Sequence, residues 1–133
     1  MTVFIDASFL IALFNKDDEF HQRAEETAEK LETDLVRFIT SDIVVAETVN
    51  VIFRLKGPVL AEKFLGIFKK SKIEEFFVPP EIFTKAYARL FSQKSKRGLN
   101  FFDCLHLETA EFLSIKTILT FDEKLGKASV KNN

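Results

Sequence analysis

Apolar residues along the chain fall into two alternating patterns: short continuous runs, and longer stretches in which they recur every three or four positions. A short β-branched or aromatic run reads as a strand buried on both faces, and the three-to-four spacing reads as a helix with one buried stripe. Residues 3–5 are therefore predicted as a first strand, and the apolar pattern that runs on to Phe14 as a helix beginning directly after Asp6. Residues 17–35 read as a polar amphipathic helix with Phe20, Ala24, Ala28 and Leu31 on its buried stripe. A second strand covers 37–40, and Ser41 or Asp42 caps a helix over 43–55 that is apolar nearly all round. Gly57-Pro58 ends it, and a further helix over 59–70 carries a wide apolar stripe, so the pair covers the sheet or offers part of its surface to a partner. A third strand over 73–78 stops at Pro79-Pro80 and is followed by a helix over 81–93. After a basic turn over 94–98, Asn100 opens a helix over 101–113, and a fourth strand spans 116–120. Strands alternating with helices predict an α/β fold, a three-layer α/β/α domain around a mostly parallel sheet of four or five strands.

Composition narrows this picture without changing it. A chain of 133 residues is expected to form one domain, residues 1–133, and folding at this size removes roughly 65 to 70% of the unfolded chain's surface from water. Four Gly and three Pro leave no room for long linkers or low-complexity tails. The 16 Phe, set against one Tyr and no Trp, read as core packing and not as a base-stacking surface. Cys104 is the only cysteine, so no internal disulfide forms, and the chain is expected in a reducing, cytoplasmic setting. The apolar start has no basic flank, carries Asp6 in its middle and is too short to span a membrane.

Charge is segregated although the net value is only −1. Between residues 17 and 34, eight acidic side chains face only Arg23 and Lys30, which reads as a solvated helix face turned away from any polyanion. The compensating basic surplus lies elsewhere, notably at Lys94, Lys96 and Arg97 in the turn before Asn100, where it would suit flanking phosphates as well as plain solvent. No Walker loop or dinucleotide glycine fingerprint is present.

Chemistry is concentrated in four acids. Asp6 and Asp122 each stand where a buried strand hands over to a helix, and ligands of parallel sheets bind in the crevice outside that edge. Asp is also a preferred helix N-cap, so each acid alone is equally an ordinary cap. Asp103, three residues after Asn100, fits the acid of a capping box. Glu47 lies about five residues into an apolar helix, roughly 7 Å along its axis, where an unpaired acid is costly to bury. Together the four define an oxygen-only site that repels itself without a cation and favours Mg²⁺ or Mn²⁺ over Zn²⁺. A hard divalent ion at a sheet edge points to phosphodiester hydrolysis. His106 shares a helix face with Asp103 and reads as a structural histidine, His21 as a surface residue. Cys104 and His106, two apart on a helix, point away from each other and cannot form a dyad.

Four stretches in order, Val3-Phe4-Ile5-Asp6-Ala7-Ser8, Thr40-Ser41-Asp42 leading to Ala46-Glu47-Thr48, Phe101-Phe102-Asp103-Cys104-Leu105-His106 and Leu119-Thr120-Phe121-Asp122, resemble the successive motifs of PIN-domain nucleases. Their spacing is most similar to that of VapC-type toxins of toxin-antitoxin pairs. The resemblance implies a catalytic metal site of Asp6, Glu47, Asp103 and Asp122, with Ser8 and Thr120 as polar supports. It also implies Mg²⁺- or Mn²⁺-dependent RNA cleavage, homodimerisation and neutralisation by a small antitoxin. Leu125 departs from the aromatic residue common after the last motif, and the polar tail beyond Gly126 leaves a final edge strand open. An RNA-processing nuclease without a toxin role, or an inactive RNA- or protein-binding PIN module, would use the same scaffold. A haloacid-dehalogenase phosphatase would want an acid where Ser8 stands, and a receiver domain an acid pair that Asp6-Ala7 does not supply.

Overall fold

In a computed structural model, which describes residues 1–131, strands and helices alternate as the apolar pattern predicts. The strands are β1 (Thr2–Ile5), β2 (Arg37–Ser41), β3 (Glu74–Phe76) and β4 (Thr117–Leu119), and all neighbours pair in parallel in the order β3-β2-β1-β4. Helices α1 (Ala7–Phe14) and α2 (His21–Leu31) connect β1 to β2, α3 (Asp42–Lys56) and α4 (Pro58–Lys70) connect β2 to β3, and α5 (Pro80–Phe91) and α6 (Phe101–Phe112) connect β3 to β4. The chain ends in α7 (Glu123–Lys131).

Strand order decides which face each helix takes. The first two connections step outward from β1 in one direction, and the third returns past β1 to β4. Right-handed crossovers then put α1 to α4 on one face and α5 with α6 on the other. The core divides accordingly. Phe4, Phe9, Val44, Ile52, Phe64 and Phe68 form the larger cluster, while Ile82, Ala86, Cys104 and Leu105 pack a smaller one between α5 and α6. β1 is buried on both sides, with Val3 and Phe4 fully enclosed, which is why its three-residue apolar run reads as a central strand.

Local chemistry sets the boundaries. Ser41, not Asp42, caps α3 by accepting from the Val44 N–H at 3.1 Å, and Asp42 instead accepts from the Val78 N–H at 3.0 Å, tying α3 to the end of β3. The expected helix over 17–35 is only α2, because Asn15 and Asp18 take the N–H groups of Asp17 and Phe20 in side-chain turns that compete with a helical start. His21 is no surface residue: its Nδ1 lies 2.7 Å from the Ala12 carbonyl and secures the last turn of α1. Where a final edge strand was left open there is α7, anchored by the fully buried Leu125, so the described residues hold four strands and not five.

Candidate functional site

The order β3-β2-β1-β4 makes the crevice between β1 and β4 the point where the sheet reverses direction, the place where open α/β sheets bind ligands. Asp6 leaves β1 there and Asp122 follows β4. The ladder runs up to the edge, with the Asp6 N–H donating to Leu119 O at 3.0 Å and Thr40 Oγ1 donating to Ile5 O at 2.7 Å.

Asp6 occupies the N-cap position of α1, yet its side chain makes no cap hydrogen bond. It is 6% exposed, and its Oδ2 accepts from Ser8 Oγ at 2.9 Å and from Thr120 Oγ1 at 2.8 Å. Each hydroxyl oxygen also receives a backbone N–H, Phe121 to Ser8 at 2.9 Å and Asp122 to Thr120 at 3.0 Å, and the two hydroxyls lie 3.1 Å from each other, so Asp6 sits in a small network. Phe121 is held in turn by stacking on Phe9 and Phe20, with the Arg23 guanidinium 5.5 Å above its ring. The β4–α7 corner is thereby built around Asp6.

Glu47 projects from the middle of α3 toward α6, where His106 Nε2 lies 2.8 Å from its Oε1 and 3.7 Å from Asp6 Oδ1. His106 is 2% exposed and its Nδ1 has no partner among the described residues. A buried N–H without an acceptor costs more than a bare ring nitrogen, so the proton belongs on Nε2, where it is donated to Glu47. His106 thus has the structural part expected of it, holding Glu47 by a hydrogen bond with Asp6 close by. The only sequence signal was its position three residues after Asp103, on the same helix face.

Asp103 completes the expected capping box, taking the Asn100 N–H on Oδ2 at 3.0 Å while Asn100 Oδ1 takes the Asp103 N–H at 2.8 Å. Burial pushes its carboxyl above the ordinary value, and the charges of Asp122 and Asp6 push it the same way, against the Asn100 N–H and His106. Asp103 is therefore close enough to feel the charges of acids from two other elements. Asp122 caps α7 through Oδ1, which accepts from the Leu125 N–H at 2.9 Å.

Each of the four carboxylates has one oxygen tethered, to hydroxyls, to His106 or to a backbone N–H, and a second oxygen with no hydrogen-bond partner among the described residues. Among those residues, no three acid, histidine or cysteine side chains are drawn together tightly enough to cage an ion. The donor chemistry nevertheless fits a hard divalent cation, with oriented carboxylate oxygens and no thiolate. Cys104 is fully buried, and burial pushes its thiol up, which leaves it inert.

The model of the PIN domain family matches residues 3–131. The chain is a PIN-domain protein. Its fold is that of VapC20 from Mycobacterium tuberculosis, a sarcin-ricin loop cleaving toxin, with a TM-score of 0.83 at 23% identity over 95% of this chain and 94% of that one. VapBC2 from Rickettsia felis, solved bound to a DNA fragment from its promoter, is similar with a TM-score of 0.67 at 19% identity over 96% and 92% of the two chains. No curated protein sequence matches.

In this PIN domain the loop between α5 and α6 carries Lys94, Lys96 and Arg97, all exposed and none in an ion pair among the described residues. The Gln93 amide clamps its base, accepting the Leu99 N–H at 2.7 Å and donating to Leu99 O at 2.8 Å, and a Cβ on Gly98 would run into that amide oxygen. Lys124 Nζ donates to Arg97 O at 2.8 Å. Since Asp122 caps α7 and Lys124 lies in its first turn, this bond holds the basic loop at the carboxylate edge. No helix among the described residues is long and apolar enough to cross a membrane.

Proposed function

We propose that this PIN-domain protein is a divalent-cation-dependent endoribonuclease, a hydrolase of RNA phosphodiester bonds that acts in the cytoplasm as the toxin of a toxin-antitoxin pair. The observation that carries the reading is the set of four carboxylates, delivered by four separate elements to the switch point, each with one oxygen tethered and one left over. Asp6, Glu47, Asp103 and Asp122 would hold Mg²⁺ or Mn²⁺. When bound, such a cation stabilises charge on phosphate oxygens and lowers the pKa of water. Ser8 and Thr120 keep Asp6 oriented, and His106 keeps Glu47 pointing to the same edge. Neither histidine is placed to activate a ribose 2′-oxygen with a partner imidazole, since His21 is bound to Ala12 O and His106 is buried against Glu47. Water is then the nucleophile, and the products carry 5′-phosphate and 3′-hydroxyl ends. Lys94, Lys96 and Arg97 hold flanking phosphates.

The family match and the fold likeness to VapC20, a sarcin-ricin loop cleaving toxin, support RNA as substrate, and the likeness to VapBC2 supports a small antitoxin as partner. A surface for that partner is at hand between α3 and α4, where the exposed Phe53 lines an open groove together with Val45, Val49 and Leu65. An amphipathic helix suits such a groove, and the same surface accounts for a homodimer in the antitoxin's absence.

A cation titration tests the site. At 100 times its Kd, Mn²⁺ should stabilise the fold by about 2.7 kcal/mol, read as a rise in unfolding temperature. Asp6→Asn should remove the rise and leave the fold intact, because this side chain caps nothing. An unchanged melting curve in saturating Mn²⁺ would count against the reading.

A further inference from the structure

The phenylalanines do not all serve the core. On α5 and the first turn of α6, four aromatic rings form a row at the surface: Phe102 meets Phe101 edge-on at 5.5 Å, Phe101 stacks on Tyr87 at 4.6 Å, and Tyr87 stacks on Phe91 at 6.2 Å with the planes only 19° apart. Phe102, Tyr87 and Phe91 are 46%, 47% and 77% exposed. The row starts beside chemistry, since Phe102 immediately precedes Asp103, and it ends at Phe91, from which the basic loop departs.

We propose that Phe102, Phe101, Tyr87 and Phe91 form a stacking platform for the bases of single-stranded RNA, leading away from the carboxylate site along the cationic loop. This rests on the ribonuclease reading for its choice of ligand. A single strand offers flat apolar bases on one side and phosphates on the other, and proteins that hold one combine stacked aromatic rings with a cationic flank. Both halves are here, with Lys94, Lys96 and Arg97, in no ion pair among the described residues, in the loop that joins Phe91 to the start of α6. Charge disfavours a second copy as the occupant. A second copy would have to supply acids to Lys94, Lys96 and Arg97, and Glu108 and Glu111 on α6 are already paired with Arg89.

The test uses the whole protein in EDTA and a short single-stranded oligoribonucleotide containing 2-aminopurine, whose fluorescence is quenched by stacking. The wild type should quench it on binding. Tyr87→Leu and Phe91→Leu, which keep apolar bulk but remove the ring, should abolish the quench and weaken binding about tenfold each. Phe77→Ala, which removes a 68% exposed ring outside the row, should change neither. Unaltered quench and affinity in both Leu variants would overturn the platform. So would light scattering showing that Phe91→Ser turns a dimer into a monomer with RNA affinity per protomer unchanged, which would give the row to a second copy. Because binding is read without a cation, the outcome is separate from cleavage: absence of cation-dependent cleavage refutes the nuclease reading alone, and absence of quench refutes the platform alone.

Discussion

At the scale of single residues, Asp6 shows what a strand-end acid does when it is released from capping. Its carboxylate takes two hydroxyl protons in place of a helix N–H, and both hydroxyls belong to residues singled out by the motifs around Asp6 and Asp122. Thr120→Val keeps the shape and removes one of those donors. It should weaken Mn²⁺ binding about 10- to 100-fold in a thermal-shift titration, as loss of groups that orient metal ligands does, while costing about 1 kcal/mol of metal-free stability. Asp103 carries a second prediction. Its raised pKa means that the folded state holds a proton which the unfolded state has already lost, so metal-free stability falls as pH climbs from the ordinary carboxylate value through the raised one. Asp103→Asn retains a carbonyl for the Asn100 N–H and has no charge to repel Asp122 and Asp6. Its stability relative to wild type should therefore increase in EDTA as pH rises above the ordinary carboxylate range, measured by denaturant unfolding, and level off once the raised pKa is passed. The four acids were legible as strand-end and helix-start residues. The pairing of His106 was not, because spacing on one helix cannot show what a second helix places opposite, and α3 brings Glu47 there.

Among the elements, the alternation of buried runs and three-to-four spacing located the four strands and most of the helices, since each pattern reports directly which faces are buried. It failed where side chains divert the backbone, as Asn15 and Asp18 do ahead of α2, and where an end is settled by tertiary anchoring, as Leu125 does for α7. The all-round apolar character of α3 predicts that the α3–α4 pair covers the sheet or offers part of its surface to a partner. In the fold its Val44, Val45 and Ile52 are buried, but Phe53 and Leu55 are exposed, as are Val59 and Ile67 of α4. Phe53→Ser with Ile67→Ser should stay within about 1 kcal/mol of wild-type stability, as exposed substitutions do, and should reduce self-association in light scattering. A large loss of stability would instead assign these side chains to the fold.

Across the whole molecule, function follows from strand order, and strand order was the least legible feature. Composition and periodicity predict parallel strands but not which one returns to lie beside β1, because that choice depends on non-local pairing. Once β4 takes the free side of β1, Asp6 and Asp122 become neighbours across a reversal point, and α6 returns with Asp103 and His106. The basic loop is drawn to the same edge by Lys124. The central claim is that these acids make a cation-dependent hydrolase that uses water on RNA, and the most direct measurement is the chemistry of the product ends from end-labelled RNA. The account predicts 5′-phosphate and 3′-hydroxyl ends, formed with Mg²⁺ or Mn²⁺ and lost in EDTA and in Asp122→Asn. Products with 2′,3′-cyclic phosphate ends, or cleavage undiminished by EDTA, would contradict it.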